Sequence, residues 1–91
     1  MDKKRTRLEI IRDILLVVKN QNGKAKPTHI LYKSNLSYSM MEEYLAELLS
    51  KQFVEEKRMG KGKNYLITSK GLKFLEEYNK IVDFTNSFGL G

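Results

Sequence analysis

Between Asn35 and Thr68 the chain reads NLSYSMMEEYLAELLSKQFVEEKRMGKGKNYLIT, and this stretch constrains the fold more than any other. It opens with a turn, continues with apolar residues at helical spacing, then changes to two strand-like runs separated by glycine and lysine. Ser37 is the expected start of the helix, with Ser39 and Glu42 offering a competing capping pair two residues later. Met41, Tyr44, Leu45, Leu48 and Leu49 recur three and four residues apart and mark the core face. Tyr38, Ser39, Met40, Glu43 and Glu47 are left nearer the outside. Phe53 to Lys57 and Asn64 to Ile67 read as strands around Met59-Gly60-Lys61-Gly62. A helix that leads straight into a basic β-hairpin therefore sits at the centre of the chain.

The flanks extend this pattern. Thr6-x-x-Glu9 is a capping box that starts a first helix, which runs to about Asn20 and stops in the Asn22-Gly23 turn. Leu8, Ile11, Leu15 and Val18 form one apolar stripe on it; Ile10, Ile14 and Val17 form a second. Two stripes exceed the needs of one small domain, so the second either widens the core contact or meets a second subunit. A short second helix runs from about Pro27 or Thr28 to Lys33, its buried side supplied by Ile30 and Leu31, with Tyr32 as a further candidate. Ser34-Asn35-Leu36 makes the turn into the central helix. After Thr68 a last helix runs from about Ser69 to beyond Val82. Its Phe74, Tyr78, Ile81, Thr85 and Phe88 are spaced four, three, four, three, a heptad seam over two repeats. Leu72 and Leu75 suffice to hold such a helix on its own domain, so the seam is expected at a subunit interface.

Ninety-one residues place the chain near the lower limit for a self-sufficient core. It has no cysteine and a single histidine, so neither disulfides nor a zinc site can reinforce it. Oligomerisation is the remaining aid, and a homodimer is expected. No apolar run approaches the ~20 residues of a membrane span, and no leader pattern opens the chain; a soluble cytoplasmic protein is expected. The net charge of +6 is unevenly spread. Residues 1–34 carry +6, residues 35–56 carry −4, residues 57–73 carry +6 and the remainder −2. Lys57, Arg58, Lys61 and Lys63 crowd one glycine-containing loop, which suits a polyanion whose phosphates release counterions on neutralisation. The glutamate pairs at 42/43, 55/56 and 76/77 suggest no acid–base chemistry, because adjacent helical residues do not face each other. The G-K-G-K of residues 60–63 lacks the spacing of a nucleotide-binding loop. His29 reads as a surface or half-buried packing residue. Neither enzyme activity nor a metal or cofactor is expected, and no small-molecule ligand is evident from the sequence.

Helix, turn, helix, basic hairpin and helix in that order make the winged helix-turn-helix plan, mainly α with a small β-hairpin (α+β). Residues 1–68 would form the DNA-binding core and residues 69–91 an extended C-terminal dimerisation helix. RLEIIRDIL, THILYKSNLSY, YL-x-x-L-x-x-K-x-F-V and YLIT-x-KG resemble an archaeal winged-helix family over roughly residues 5–80. Its members include the ten-kilodalton DNA-binding proteins of thermophilic archaea and related predicted transcriptional regulators. The resemblance implies a homodimer joined by an antiparallel coiled coil of C-terminal helices, with double-stranded DNA as partner and limited sequence preference.

Carried onto this sequence, the recognition helix spans Ser37 to about Ser50, its first turn offering backbone N–H groups to a phosphate. Tyr38 and Ser39 would donate hydrogen bonds, Met40 would touch a thymine methyl, and Glu43 would accept from a cytosine amino group. Arg58, Lys61 and Lys63 of the wing would follow the backbone or minor groove, with Gly60 and Gly62 allowing close approach. Lys24, Lys26, Lys33, Lys3, Lys4 and Arg5 would add phosphate contacts. Ile10, Ile14, Val17, Phe74, Tyr78, Ile81, Thr85 and Phe88 are the candidate dimer residues. The central helix has no Arg or Lys before Lys51 and carries three glutamates, which predicts weak sequence reading. A transcriptional regulator and a nucleoid-associated protein both fit, and a protein-interaction module using the acidic helix is the rival.

Overall fold

Local chemistry sets each element in turn. The structure, a computed structural model, describes residues 4–91. Helix α1 (Arg7–Asn20) starts at Thr6, whose Oγ1 accepts from the Glu9 N–H at 3.1 Å while the Glu9 carboxylate accepts from the Thr6 N–H at 2.7 Å. The capping box therefore forms as the sequence predicts. Asn22 and Gly23 reverse the chain at φ +53° and +83°. Helix α2 (Pro27–Lys33) follows, then α3 (Tyr38–Ser50), strands β1 (Val54–Met59) and β2 (Gly62–Ile67), and α4 (Ser69–Ser87).

Helices α2, α3 and α4 end in the same way. Asn35 at φ +54°, Gln52 at +64° and Gly89 at +73° take the left-handed position just past each helix. The next N–H reaches back: Leu36 to the Leu31 carbonyl, Phe53 to Leu48 and Leu90 to Thr85. These are Schellman closures, two of them built without glycine. The first sets the α2–α3 turn and leads to Ser37, whose Oγ accepts from the Met40 N–H and caps α3. The competing Ser39–Glu42 pair is not used as a cap.

The strands pair antiparallel from Val54↔Ile67 to Met59↔Gly62, which leaves Gly60 and Lys61 alone in the turn. Gly60 at φ +61° occupies the first central position, as a type II′ turn requires. Both strands are longer than the sequence suggests, and the expected loop residues Met59 and Gly62 are paired. Tyr65 also donates its N–H to the Ala25 carbonyl at 2.7 Å, so the segment before α2 forms a short third edge.

Ile11, Ile14, Leu15 and Val18 of α1 meet Ile30, Leu36, Met41, Leu45, Leu48, Val54, Tyr65 and Leu75 in one core. Helix α1 packs against α2, β2 and α4. This sandwiching corrects the expectation for its second stripe. Ile10 and Ile14 are buried in the chain's own core and Val17 packs against it, so none of them forms the exposed stripe expected to meet a partner. Leu8, expected in the core, is instead 53% exposed, and Tyr32 is 77% exposed.

Helix α4 sits unusually close to the hairpin base. A Cβ on Gly71 would lie 2.4 Å from the Phe53 carbonyl oxygen and 2.7 Å from Ile67 Cγ1. Thr68 ties the same corner, accepting from the Gly71 N–H and donating its hydroxyl to the Gln52 and Phe53 carbonyls. Thr68 and Gly71 of the YLIT-x-KG stretch thus make a packing corner.

Candidate nucleic-acid interface

The wing pairs only some of its cations with acids of its own. Arg58 and Lys63 stand directly opposite each other across the two strands. Like charges in that position destabilise a hairpin. Lys63 reaches Glu56 at 3.7 Å, while Arg58 and Lys61 have no ion pair among the described residues. Val54, Glu56 and Arg58 alternate along β1 on the face that pairs with Ile67, Tyr65 and Lys63. Val54 and Tyr65 are buried, so the Arg58–Lys63 pair continues the core-facing side of the hairpin beyond the core. Burial raises the pKa of the Tyr65 phenol, with the Glu56 and Glu42 carboxylates adding to the rise against the lowering effect of Lys63.

Lys61 and Lys63 also border an open groove of about 560 Å³ between the wing and the entry to α2, with Lys26 on the other bank and Met59 and Pro27 among its lining. Three of the candidate phosphate contacts are thereby brought together. Lys24 and Lys33 are exposed but do not line this groove. Lys4 is exposed, and Lys3 lies outside the described residues.

Arg5 is placed differently from its expected role. Its guanidinium pairs with Asp13 at 2.7 Å and donates to the Asn35 carbonyl at 3.0 Å. Two fixed acceptors hold it as a staple between the N-terminal segment, α1 and the α2–α3 turn, so it is not a free phosphate contact. His29 has a local task that sequence reasoning missed. Its Nδ1 accepts from the Lys26 N–H at 3.1 Å and so caps the entry of α2. The signal was its place three residues past Lys26, where a glutamate would sit in an ordinary capping box.

Along α3, Ser37, Tyr38, Ser39 and Glu43 are exposed and Met40 is half-buried. Glu47 is not available to a ligand. It takes Arg7 and Lys51 as partners, the latter at 3.0 Å, and the Arg7 guanidinium lies over the Tyr44 ring at 5.6 Å. The hydrogen bonds from Lys51 and Arg7 hold the Glu47 carboxyl below the usual carboxylate range, and Glu47 in turn raises the Arg7 pKa.

The expected seam on α4 divides in two. Phe74 packs edge-on against Phe53 with ring centres 5.7 Å apart, and Arg12 lies 5.2 Å over Tyr78, so both serve their own domain. Thr85 is half-buried and its hydroxyl donates to the Ile81 carbonyl. Ile81, Phe84 and Phe88 are each about two-thirds exposed. Phe84 lies off the heptad count and was missed. Its ring stands 5.0 Å from that of Phe88, and Leu90 beyond the helix is exposed as well.

Among the described residues no group of three or more His, Cys, Asp or Glu is placed to hold a metal. No helix there is long and apolar enough to cross a membrane.

A family model described as winged helix-turn-helix matches residues 4–86. The fold is similar to that of Sso10a-2, a DNA-binding protein from Sulfolobus solfataricus. TM-score is 0.79 and identity 24%, over 92% of this chain and 85% of that one. It also resembles MepR, a transcription regulator of the Staphylococcus aureus multidrug efflux pump MepA. There the TM-score is 0.75 and identity 20%, over 87% and 60% of the two chains. TubR from Bacillus thuringiensis, solved bound to 24 bp of tubC, matches with TM-score 0.66 and 20% identity, over 78% and 80%. No curated protein matches the sequence.

Proposed function

Because the chain belongs to the winged helix-turn-helix family, we propose that it binds double-stranded DNA as a homodimer with limited sequence preference. The observation that carries this reading is the wing, where Arg58 opposes Lys63 at a cost in stability that a phosphate would offset. Lys26, Lys61 and Lys63 along one groove extend the same positive surface to the entry of α2. Phosphate contacts position a protein without reading sequence. The outer face of α3 carries no Arg or Lys for guanine, which limits direct readout. Similarity to Sso10a-2, MepR and TubR, each described as binding DNA or regulating transcription, supports the same reading. Transcription regulation and organisation of the nucleoid are the two roles it suits, in the cytoplasm of its cell.

Dimerisation is assigned to the distal half of α4. Ile81, Phe84 and Phe88 expose a contiguous apolar stripe that a lone soluble chain gains nothing by presenting. A second copy covers it by laying the same stripe antiparallel. The rival reading, a protein-interaction module, is favoured by exposed Glu42 and Glu43 on α3. Sedimentation of the free chain and of its duplex complex tests the proposal. Two chains per particle and duplex binding are expected, with Phe84→Glu shifting the free protein toward monomer. A Phe84→Glu variant of unchanged dimer mass refutes the interface, and failure to bind duplex moves the acidic-helix reading to first place.

A further inference from the structure

The three acids of α3 occupy three environments. Glu47 is held by Arg7 and Lys51 on the flank turned to α1. Glu42 lies on the opposite flank, where its charge helps to raise the pKa of Tyr65. Glu43 is exposed and has no ion pair or side-chain hydrogen bond among the described residues. Helical geometry explains the division. At 3.6 residues per turn, Ser39, Glu43, Ala46 and Ser50 fall on one line, opposite the buried Met41, Leu45 and Leu48. All four are exposed. This line is the part of α3 farthest from the core, and so the part that enters deepest when α3 lies in a major groove. Its one charged side chain is Glu43.

We infer that Glu43 selects cytosine at one base pair of each half-site. The inference rests on the DNA-binding reading above and specifies what that reading leaves open. In the major groove cytosine offers the N4 amino donor, which a carboxylate accepts. Guanine presents the N7 and O6 acceptors and thymine the O4 acceptor beside its methyl, so neither offers a donor and their acceptors repel it. Adenine offers N6 as donor but sets the N7 acceptor beside it, so one carboxylate oxygen is matched and the other opposed. The order of preference is therefore cytosine, then adenine, then guanine and thymine. Selection works chiefly by rejection, because a carboxylate desolvated among phosphates without a donor is penalised at every wrong pair.

The neighbours fit the same register. At about 1.5 Å per residue, Ser39 lies ~6 Å before Glu43 and Ala46 ~4.5 Å after it. With base pairs ~3.4 Å apart, Ala46 falls about one pair and Ser39 about two pairs from the one that Glu43 meets. The Ala46 methyl suits a thymine methyl, and the Ser39 hydroxyl can donate or accept.

Selection from a duplex pool randomised over the bound region tests this, using wild type, Glu43→Gln and Glu43→Ala. Glu43 has no ion pair or side-chain hydrogen bond to lose among the described residues, so both variants should stay close to the wild-type thermal midpoint, which is measured alongside. Wild type should enrich cytosine at one position, about five- to tenfold over guanine or thymine. The Gln variant should move the preference to adenine, whose N6 and N7 an amide meets with two hydrogen bonds. The Ala variant should lose base preference at that position and bind mixed-sequence duplex at least as tightly as wild type. The same base profile in wild type and the Ala variant overturns the Glu43 inference while leaving DNA binding intact. Failure of wild type to bind any duplex overturns the DNA-binding reading and this inference with it.

Discussion

Replacing Arg58, Lys61 and Lys63 together by alanine separates affinity for DNA from stability of the fold. Arg58 and Lys61 have no ion pair among the described residues, and Lys63 meets Glu56 only at 3.7 Å with both side chains partly in water. A pair so exposed contributes little, and removing the Arg58–Lys63 opposition offsets its loss, so stability changes by less than about 1 kcal/mol. The effect on binding is larger. If each cation neutralises one phosphate, the slope of log affinity against log salt becomes shallower by about 0.9 per contact, or about 2.7 for each chain of the dimer that engages the duplex. Between roughly 50 and 200 mM salt, wild type then loses about forty-fold more affinity than the variant for each chain engaged. Anisotropy titration of one labelled duplex at the two salt concentrations reads the slopes, and urea unfolding reads stability. A variant that keeps the wild-type slope refutes the assignment of phosphate contacts to the wing. A variant that unfolds early refutes the claim that these charges do not support the fold.

Two further outcomes concern the frame that carries the interface. Gly71→Ala gains about 1 kcal/mol of helix propensity, yet its Cβ would sit 2.4 Å from the Phe53 carbonyl oxygen. Overpacking of about 1–3 kcal/mol should win, lowering the urea midpoint; an unchanged or raised midpoint means that α4 does not press on the hairpin base as described. Lys51 and Arg7 depress the folded-state pKa of Glu47, so its contribution to stability is present above the ordinary carboxylate range and is lost as pH falls through the depressed value. Wild type should therefore lose more stability on acidification than Glu47→Gln. Equal acid limbs for the two proteins contradict the Arg7–Glu47–Lys51 link between α1 and α3.

What the sequence reveals here is governed by how local each determinant is. Thr6 with Glu9, Ser37 before α3 and the Asn22-Gly23 turn act on backbone groups within three residues, and each is legible. The hairpin is legible as a pair of runs, but its length is not. Met59 and Gly62 look like loop residues, and only the pairing of Met59 with Gly62 around a two-residue turn places them in strands. Direction in space is where sequence reading fails. Ile10 and Ile14 make a stripe equally suited to a partner or to the core, and the position of α4 decides for the core. Arg5 sits in a basic lead-in, yet Asp13 and the Asn35 carbonyl, eight and thirty residues away, draw it inward. The heptad count on α4 finds Ile81 and Phe88 but includes Phe74 and Tyr78, which the domain itself uses. It passes over Phe84, because an exposed stripe need not keep a strict seven-residue repeat.

The most direct test of the whole account is titration of the wild-type protein with several unrelated duplexes of ~20–30 base pairs at two salt concentrations. Every duplex should bind, with affinities within about a hundredfold of one another, as an about five- to tenfold preference at one base pair in each of two half-sites allows, and all should weaken steeply as salt rises. Binding that is absent, or that does not change with salt, would contradict the proposal that the wing and its groove hold DNA through its phosphates.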